Sequence, residues 1–437
     1  MNIDASVLGS DELAERSFVF LQGPLSPLYR RVGRKLEAAG AQVCRINFCL
    51  GDALHWPSLN TVPFRGRPRQ WPAFFRDVLR HLKATDLVCH GDQRLYHRLA
   101  IEMARRDGVR VHVSEMGLLR PGYMTLCRNG LGSACPMPRD PVQVRAQAHM
   151  LRKTTASGGE FPTRFTMQAL PDVVYNLANY FDLLAFPHYQ KHTLYNPVVE
   201  YGRWIAKLVG RRHQERRAAA VMKRLCDEPA PRFLFPLQLE GDFQIRTQSQ
   251  FGSMIPALRH VMESFARSAP ASAHLVVKEH PLDAGFEDFG GVLKRLARSL
   301  GCAQRVHFVQ GGPMPAWLAL CHGVVTVNST AGLEALQDAK PVKCLSPTLY
   351  DLPGLTDQQT LDGFWRNPVK PEMDLLQDFL KVLIAQTQVP GSIHHPGGLT
   401  TAVESFVSKL ACTFEPHQET SGLQPDLQAH YESEGRA

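Results

Sequence analysis

Ala273-His274-Leu275-Val276-Val277-Lys278-Glu279-His280-Pro281 is the stretch from which the fold is read. A largely apolar, β-branched run stops at two charges, a histidine and a proline. A second stretch repeats the plan, with Gly323-Val324-Val325-Thr326-Val327 passing into Asn328-Ser329-Thr330-Ala331-Gly332. A buried strand that gives way to polar residues and then to a helical pattern is the carboxyl end of a strand in an open α/β sheet, where such sheets bind ligands. A His-Pro corner and a Ser-Thr-Ala-Gly helix start on two such ends suit a phosphate-bearing donor.

Working outward, the same alternation fills both halves of the chain. Residues 17–21, 42–48, 86–90 and 109–113 read as strands separated by helical patterns at 28–39, 71–82 and 95–106. From about residue 167 to 225 the strand signal disappears and the sequence reads as helical and aromatic-rich. After Asp227-Glu228-Pro229-Ala230-Pro231, a linker candidate, strands are expected at 233–237, 274–278, 306–309, 324–327 and 341–345. Strands alternating with helices of this length imply βαβ units and parallel sheets.

The expected fold is therefore α/β and GT-B-like, with two Rossmann-like doubly wound domains facing a central cleft. Residues 17–226 form the acceptor domain with a helical insert, and residues 227–412 the nucleotide-sugar domain. Residues 1–16 are expected to be a flexible N-terminus and 413–437 a disordered tail.

The bulk numbers agree with a two-domain globular protein. The chain has 437 residues, 44% hydrophobic and 21% charged, and one core does not usually grow that large. No window approaches the roughly 20 apolar residues of a membrane span. Ten scattered cysteines without a CxxC pair suggest reduced thiols in the cytoplasm and argue against a zinc site. The formal charge of +8 favours an anionic partner without choosing one. Nucleic acid is not expected, because no aromatic-basic motif accompanies the charge. The basic residues concentrate in 203–224, where interleaved apolar residues give either a membrane-surface helix or a solvated inter-domain helix.

Five short stretches carry the candidate chemistry. Pro281 restrains His280, so its imidazole either aims into the cleft at a donor phosphate or bonds a neighbouring loop. Asn328, Ser329 and Thr330 with Gly332 offer more donors than a helix cap requires. Gln22, Gly23 and Ser26 belong to a proline-rich loop that either closes over acceptor or sugar or forms a stiff turn. Asp92 either orients a substrate hydroxyl or caps the helix that follows. Glu115 is the carboxylate of the segment 114–121, and Arg120 either binds an anionic sugar bidentately or pairs with Glu115.

The ordered set of these stretches resembles the KpsS/LipB family of capsule-polysaccharide proteins, which are Kdo transferases. The likeness runs from Leu21-Gln22-Gly23-Pro24 through Gly91-Asp92, Leu119-Arg120-Pro121, Asp242-Gln244-Ile245-Arg246, His280-Pro281-Leu282-Asp283 and Val325 to Gly332, ending at Phe364-Trp365. The resemblance implies CMP-Kdo as donor substrate, no cofactor or metal, and a lipid acceptor at the inner face of the cytoplasmic membrane. It also implies capsule assembly or export proteins as partners, and a cytoplasmic protein peripheral on that membrane. His280, Pro281 and the Ser329-Thr330 pair would then contact the donor phosphate. One departure stands out. The family reads Glu-Glu-Gly where this chain has Glu115-Met116-Gly117, and a further family acid is replaced by Cys127. A thioether cannot do the work of a carboxylate. Either Glu115 or Asp92 takes the role, or the chain is a weakened paralogue acting as a nucleotide-binding partner.

Overall fold

The computed structural model describes residues 10–412 except 59, 152–157, 160, 163–164 and 192–194, so the expected tail and residues 1–9 lie outside the described residues. Twelve strands form two sheets. β1 (Ser17–Phe20), β2 (Gln42–Asn47), β3 (Thr61–Pro63), β4 (Asp86–His90), β5 (Arg110–Met116) and β6 (Tyr123–Arg128) belong to the first. β7 (Arg232–Pro236), β8 (His274–Lys278), β9 (Val306–Val309), β10 (Gly323–Thr326) and β11 (Val342–Cys344) make the second, and β12 (Gln388–Pro390) returns to the first.

Strand order is β12-β6-β5-β4-β1-β2-β3 in the first sheet and β11-β10-β7-β8-β9 in the second. Each contains the doubly wound 3-2-1-4-5 order, counted from its own first strand, and so each has a topological switch point. These points lie between β1 and β4 and between β7 and β10. The fold is α/β and GT-B-like, as the strand alternation implied. Strands β1, β4 and β10 are buried throughout, because helices cover both faces of a parallel sheet.

Two boundaries are corrected. Residues 10–16 are not a flexible lead: Ser10–Ala14 is helical, and the buried Arg16 guanidinium donates to both oxygens of buried Asp86 at 2.6 and 3.0 Å. At the other end, residues 388–411 do not stay with the second half. β12 pairs antiparallel with β6, Val389 opposite Met124. The helix Pro396–Ala411 then buries Leu399, Val403 and Phe406 beside Leu28, Val32 and Leu36 of the helix Leu28–Ala38. Apolar side chains with no room left in the second sheet find cover on the first.

Reduced cysteines throughout is a further expectation corrected. Cys127 and Cys135 form a disulfide, while the other eight are free. β6 carries Cys127, and the turn after the strand brings Cys135 back to it.

The helical insert consists of Phe165–Asn179, Asp182–Ala185 and the 31-residue helix Pro197–Asp227. Its first helix sits on the helix Leu50–His55, where the Gly51 N–H donates to Asn179 and the Leu50 N–H to Asp182. A side chain at Gly51 would strike the Tyr175 ring. The long helix then runs alongside the second domain, with Lys207 paired to Glu279 and Arg224 bonded to His307.

Candidate active site

The second domain supplies one wall of the candidate site. His280 stands directly after β8, and its Nδ1 accepts the Leu282 N–H at 3.1 Å. An accepting Nδ1 leaves the proton on Nε2, so the ring presents a donor. Burial lowers its pKa to about 4, helped by Lys278, Arg120 and Lys207, which keeps it neutral near pH 7. Beside it opens a cavity of about 700 Å³ lined by Lys278, His280, Pro281, the loop 310–313 and the long helix. That volume lies within the range of small-ligand pockets.

Lys278 is the distinctive group there. It is 4% exposed and, among the described residues, forms no side-chain hydrogen bond or salt bridge. Burial lowers its pKa, against the pull of Glu279. Its neighbour Glu279 is held instead by Lys207 and Gln310. An anion in the cavity would satisfy Lys278.

At the second switch point the Asn328 carboxamide is already occupied. Its Oδ1 accepts from Gln238 at 3.0 Å and its Nδ2 donates to the Gln244 carbonyl at 2.9 Å. Asn328 therefore positions the loop, a correction to its expected donor contact. Gly332 is corrected likewise. It is buried where a side chain would strike the Tyr350 hydroxyl, which donates to the Ser329 carbonyl. Ser329 caps the helix Thr330–Gln337 by accepting the Ala331 N–H at 3.2 Å. The Thr330 hydroxyl has no partner among the described residues and stays partly exposed at the helix start, where a dipole and free N–H groups favour anions.

The first domain contributes Glu115 and Arg120. Glu115, near the end of β5, is partly exposed and accepts its neighbouring Met116 N–H at 3.0 Å. Its Oε1 lies 3.7 Å from His90 Nε2. His90 in turn bonds Ser114 Oγ at 2.8 Å, which bonds the Tyr29 hydroxyl at 2.7 Å. Burial raises the Glu115 carboxyl above its ordinary value, against the pull of the Met116 N–H, Arg94 and Arg120. Arg120 is exposed at the end of the segment, its Nε on the Gly117 carbonyl at 2.9 Å. Its charge reaches Asp242, His280 and Glu334 of the second domain as well as Glu115. Asp242 also feels Glu115, and burial raises its carboxyl above its ordinary value. Arg120 of the first domain is thus within electrostatic range of Glu115, Asp242 and His280.

Two expected positions lie elsewhere. Asp92 is buried and takes the Leu131 N–H at 2.8 Å and Gln93 Nε2 at 3.1 Å. It neither faces substrate nor caps the helix Leu95–Arg106, which has no side-chain cap. The Gln22 loop is closed too. Gln22 donates to Asp52, Tyr175 and Tyr189 within about hydrogen-bond length, at 3.1, 3.2 and 3.0 Å. Gly23 is crowded by Tyr29, and buried Ser26 caps the Leu28 N–H. The insert covers the end of β1, so this loop has nothing left to offer an acceptor.

Sequence reasoning assigned no role to His90, Asp242, Gln238 or Lys278. His90 and Lys278 each close a buried strand, the signal that led to Glu115 and His280. Asp242 lies in one of the stretches that carry the resemblance, without a role assigned to it, and nothing local in the sequence marks Gln238.

A family model described as capsule polysaccharide biosynthesis protein matches residues 85–394. The chain belongs to the capsule polysaccharide biosynthesis family. The matched region includes Glu115, Arg120, Asp242, His280 and Ser329 and begins beyond the Gln22 loop. Two curated members are similar over most of their length. The capsule polysaccharide export protein KpsS of Escherichia coli is 32% identical over 379 residues, 86% of this chain and 96% of that one. The capsule polysaccharide modification protein LipB of Neisseria meningitidis serogroup A is 31% identical over 388 residues, 86% and 91%. A solved structure, the β-Kdo 2,7 transferase of Thermosulfurimonas dismutans KpsC, is 16% identical with a TM-score of 0.42, covering 90% of this chain and 100% of that one. Among the described residues, no helix of this family member is long and apolar enough to cross a membrane.

Proposed function

We propose that this chain is a glycosyltransferase of capsule polysaccharide assembly that takes Kdo from CMP-Kdo and places it on a phosphatidylglycerol-type lipid. The observation that supports the reading is that Arg120 acts electrostatically on Glu115, Asp242 and His280, the last of which lines the cavity together with Lys278.

In this mechanism the donor phosphate lies against Lys278, the His280 Nε2–H and the start of the helix Thr330–Gln337. The bond between the sugar's anomeric carbon and the phosphate oxygen breaks, and CMP leaves with the bonding electrons. Neutral His280 and cationic Lys278 stabilise the charge that grows on that oxygen. Arg120 holds the sugar carboxylate. Glu115, ionised, takes the proton of the acceptor hydroxyl as its oxygen bonds to the anomeric carbon. His90, held by Ser114, stands 3.7 Å from Glu115. No metal or cofactor enters these steps.

A second reading has a specific observation behind it, Met116 in place of a family acid. In that reading the chain binds the donor nucleotide but serves as a partner in capsule assembly or export. Two measurements on the purified chain separate the readings. A thermal-shift panel of CMP, UDP and GDP should show stabilisation by CMP above the others. Incubation with CMP-Kdo and a phosphatidylglycerol acceptor should give a Kdo-bearing lipid. CMP binding without transfer, made active by Met116→Glu, would establish the partner reading. Preference for UDP or GDP would replace the donor.

A further inference from the structure

Eighteen large hydrophobic side chains are exposed among the described residues, and twelve of them fall between residues 170 and 209. On the helix Phe165–Asn179 they are Leu170, Val173, Val174 and Leu177. That spacing of three and four places them on one face. Tyr180, Phe181 and Leu184 continue the patch through the next turn and short helix. On the long helix the exposed set is Val198, Val199, Ile205, Leu208 and Val209. Clustering on this scale is not the scattered exposure of an ordinary surface.

The long helix adds a second property along the same line. Steps of seven and four lead from Val198 to Ile205 and Val209. A step of three then reaches Arg212, and steps of four and seven go on to Arg216 and Lys223, all exposed. Among the described residues none of these three cations, nor exposed Arg217, has an acid partner. One helical face is therefore apolar along its first half and basic along its second. The opposite side of the same helix lines the donor cavity through Lys207 and Arg211.

We infer that the insert docks this chain on an anionic bilayer surface. The exposed faces of the two insert helices enter the head-group layer, and the row from Arg212 to Lys223 pairs with lipid phosphates. A basic amphipathic surface of this composition binds through apolar area and charge together. A second copy presenting the same face would offer no acids to that row. Docking here would set the cavity side of the long helix beside the membrane. The inference deepens the lipid-acceptor part of the function proposed above, and its test uses no donor, so either can fail alone.

The test is sedimentation of the full chain with vesicles of mixed phosphatidylglycerol and phosphatidylcholine, and with phosphatidylcholine vesicles. The chain should bind the anionic vesicles and bind the zwitterionic ones more weakly. Combined Ile205→Asp and Val209→Asp should reduce binding by about tenfold or more, with an unchanged melting temperature because both positions are exposed. Leu177→Asp should weaken binding from the other helix. Arg212→Glu with Arg216→Glu should remove the preference for anionic lipid. No binding to anionic vesicles, or binding indifferent to the apolar substitutions, would overturn the proposal. So would a dimer in solution that Ile205→Asp dissolves, since the face would then be a self-interface.

Discussion

The two domains share one strand order and use their switch points in opposite ways. In the second, the strand ends stay open. Among the described residues Lys278 forms no side-chain hydrogen bond or salt bridge and the Thr330 hydroxyl has no partner at a helix start, while His280 presents a donor. In the first, the ends of β1 and β4 close on themselves, with Gln22 bound to Asp52 and two tyrosines and Asp92 bound to the Leu131 N–H. The end of β5 differs: Glu115 and the following Arg120 act electrostatically on groups of the second domain. The same architecture therefore makes a binding wall in one lobe and, in the other, a rigid mount for one carboxylate and one guanidinium.

That contrast can be broken by substitutions that exchange the expected phenotypes. Glu115→Gln should lower Kdo transfer by about 10²–10⁴-fold, the usual weight of a positioned proton acceptor, while CMP affinity stays unchanged. His280→Ala should weaken CMP binding by roughly 10–100-fold, as expected for a lost hydrogen bond to a charged group, with little change in melting temperature. In the first domain the pattern reverses. Asp92→Ala and Gln22→Ala should each lower stability by about 1–3 kcal/mol, because buried donors lose their acceptor or a buried cluster loses its centre. CMP titration should find the donor affinity of both variants unaltered. Ser329→Ala should cost about 1 kcal/mol through the lost helix cap, and an added loss of CMP affinity would show that its hydroxyl also meets the donor. A loss of CMP binding in Gln22→Ala would undo the comparison.

The sequence marked the open lobe better than the closed one. His280-Pro281 and Ser329-Thr330 stand at strand ends where β-branched runs stop, and that transition is visible locally. Whether a polar strand-end residue is free depends on what packs over it. Gln22 looked like a loop residue because its partners Tyr175 and Tyr189 lie more than 150 positions away in the insert. Asn328 looked like a ligand contact because Gln238 and Gln244 sit in a different βα loop. The return of residues 388–411 to the first sheet had the same cause, since a three-residue strand and one amphipathic helix do not announce which sheet they cover. Glu115 and Arg120 were legible as candidates, but their convergence with Asp242 needed the two domains placed together.

The pH dependence of transfer tests the central claim most directly. Glu115 must be ionised to accept a proton, and burial raises its pKa above the ordinary 4.5. Activity should therefore fall, as pH decreases, through a midpoint above that value. His280, lowered to about 4, is neutral throughout that window and should not add a second limb there. An acid limb above the ordinary carboxylate range in wild type, absent from the residual activity of Glu115→Gln, is the predicted result. The same limb persisting unchanged in Glu115→Gln would show that another carboxylate does the chemistry.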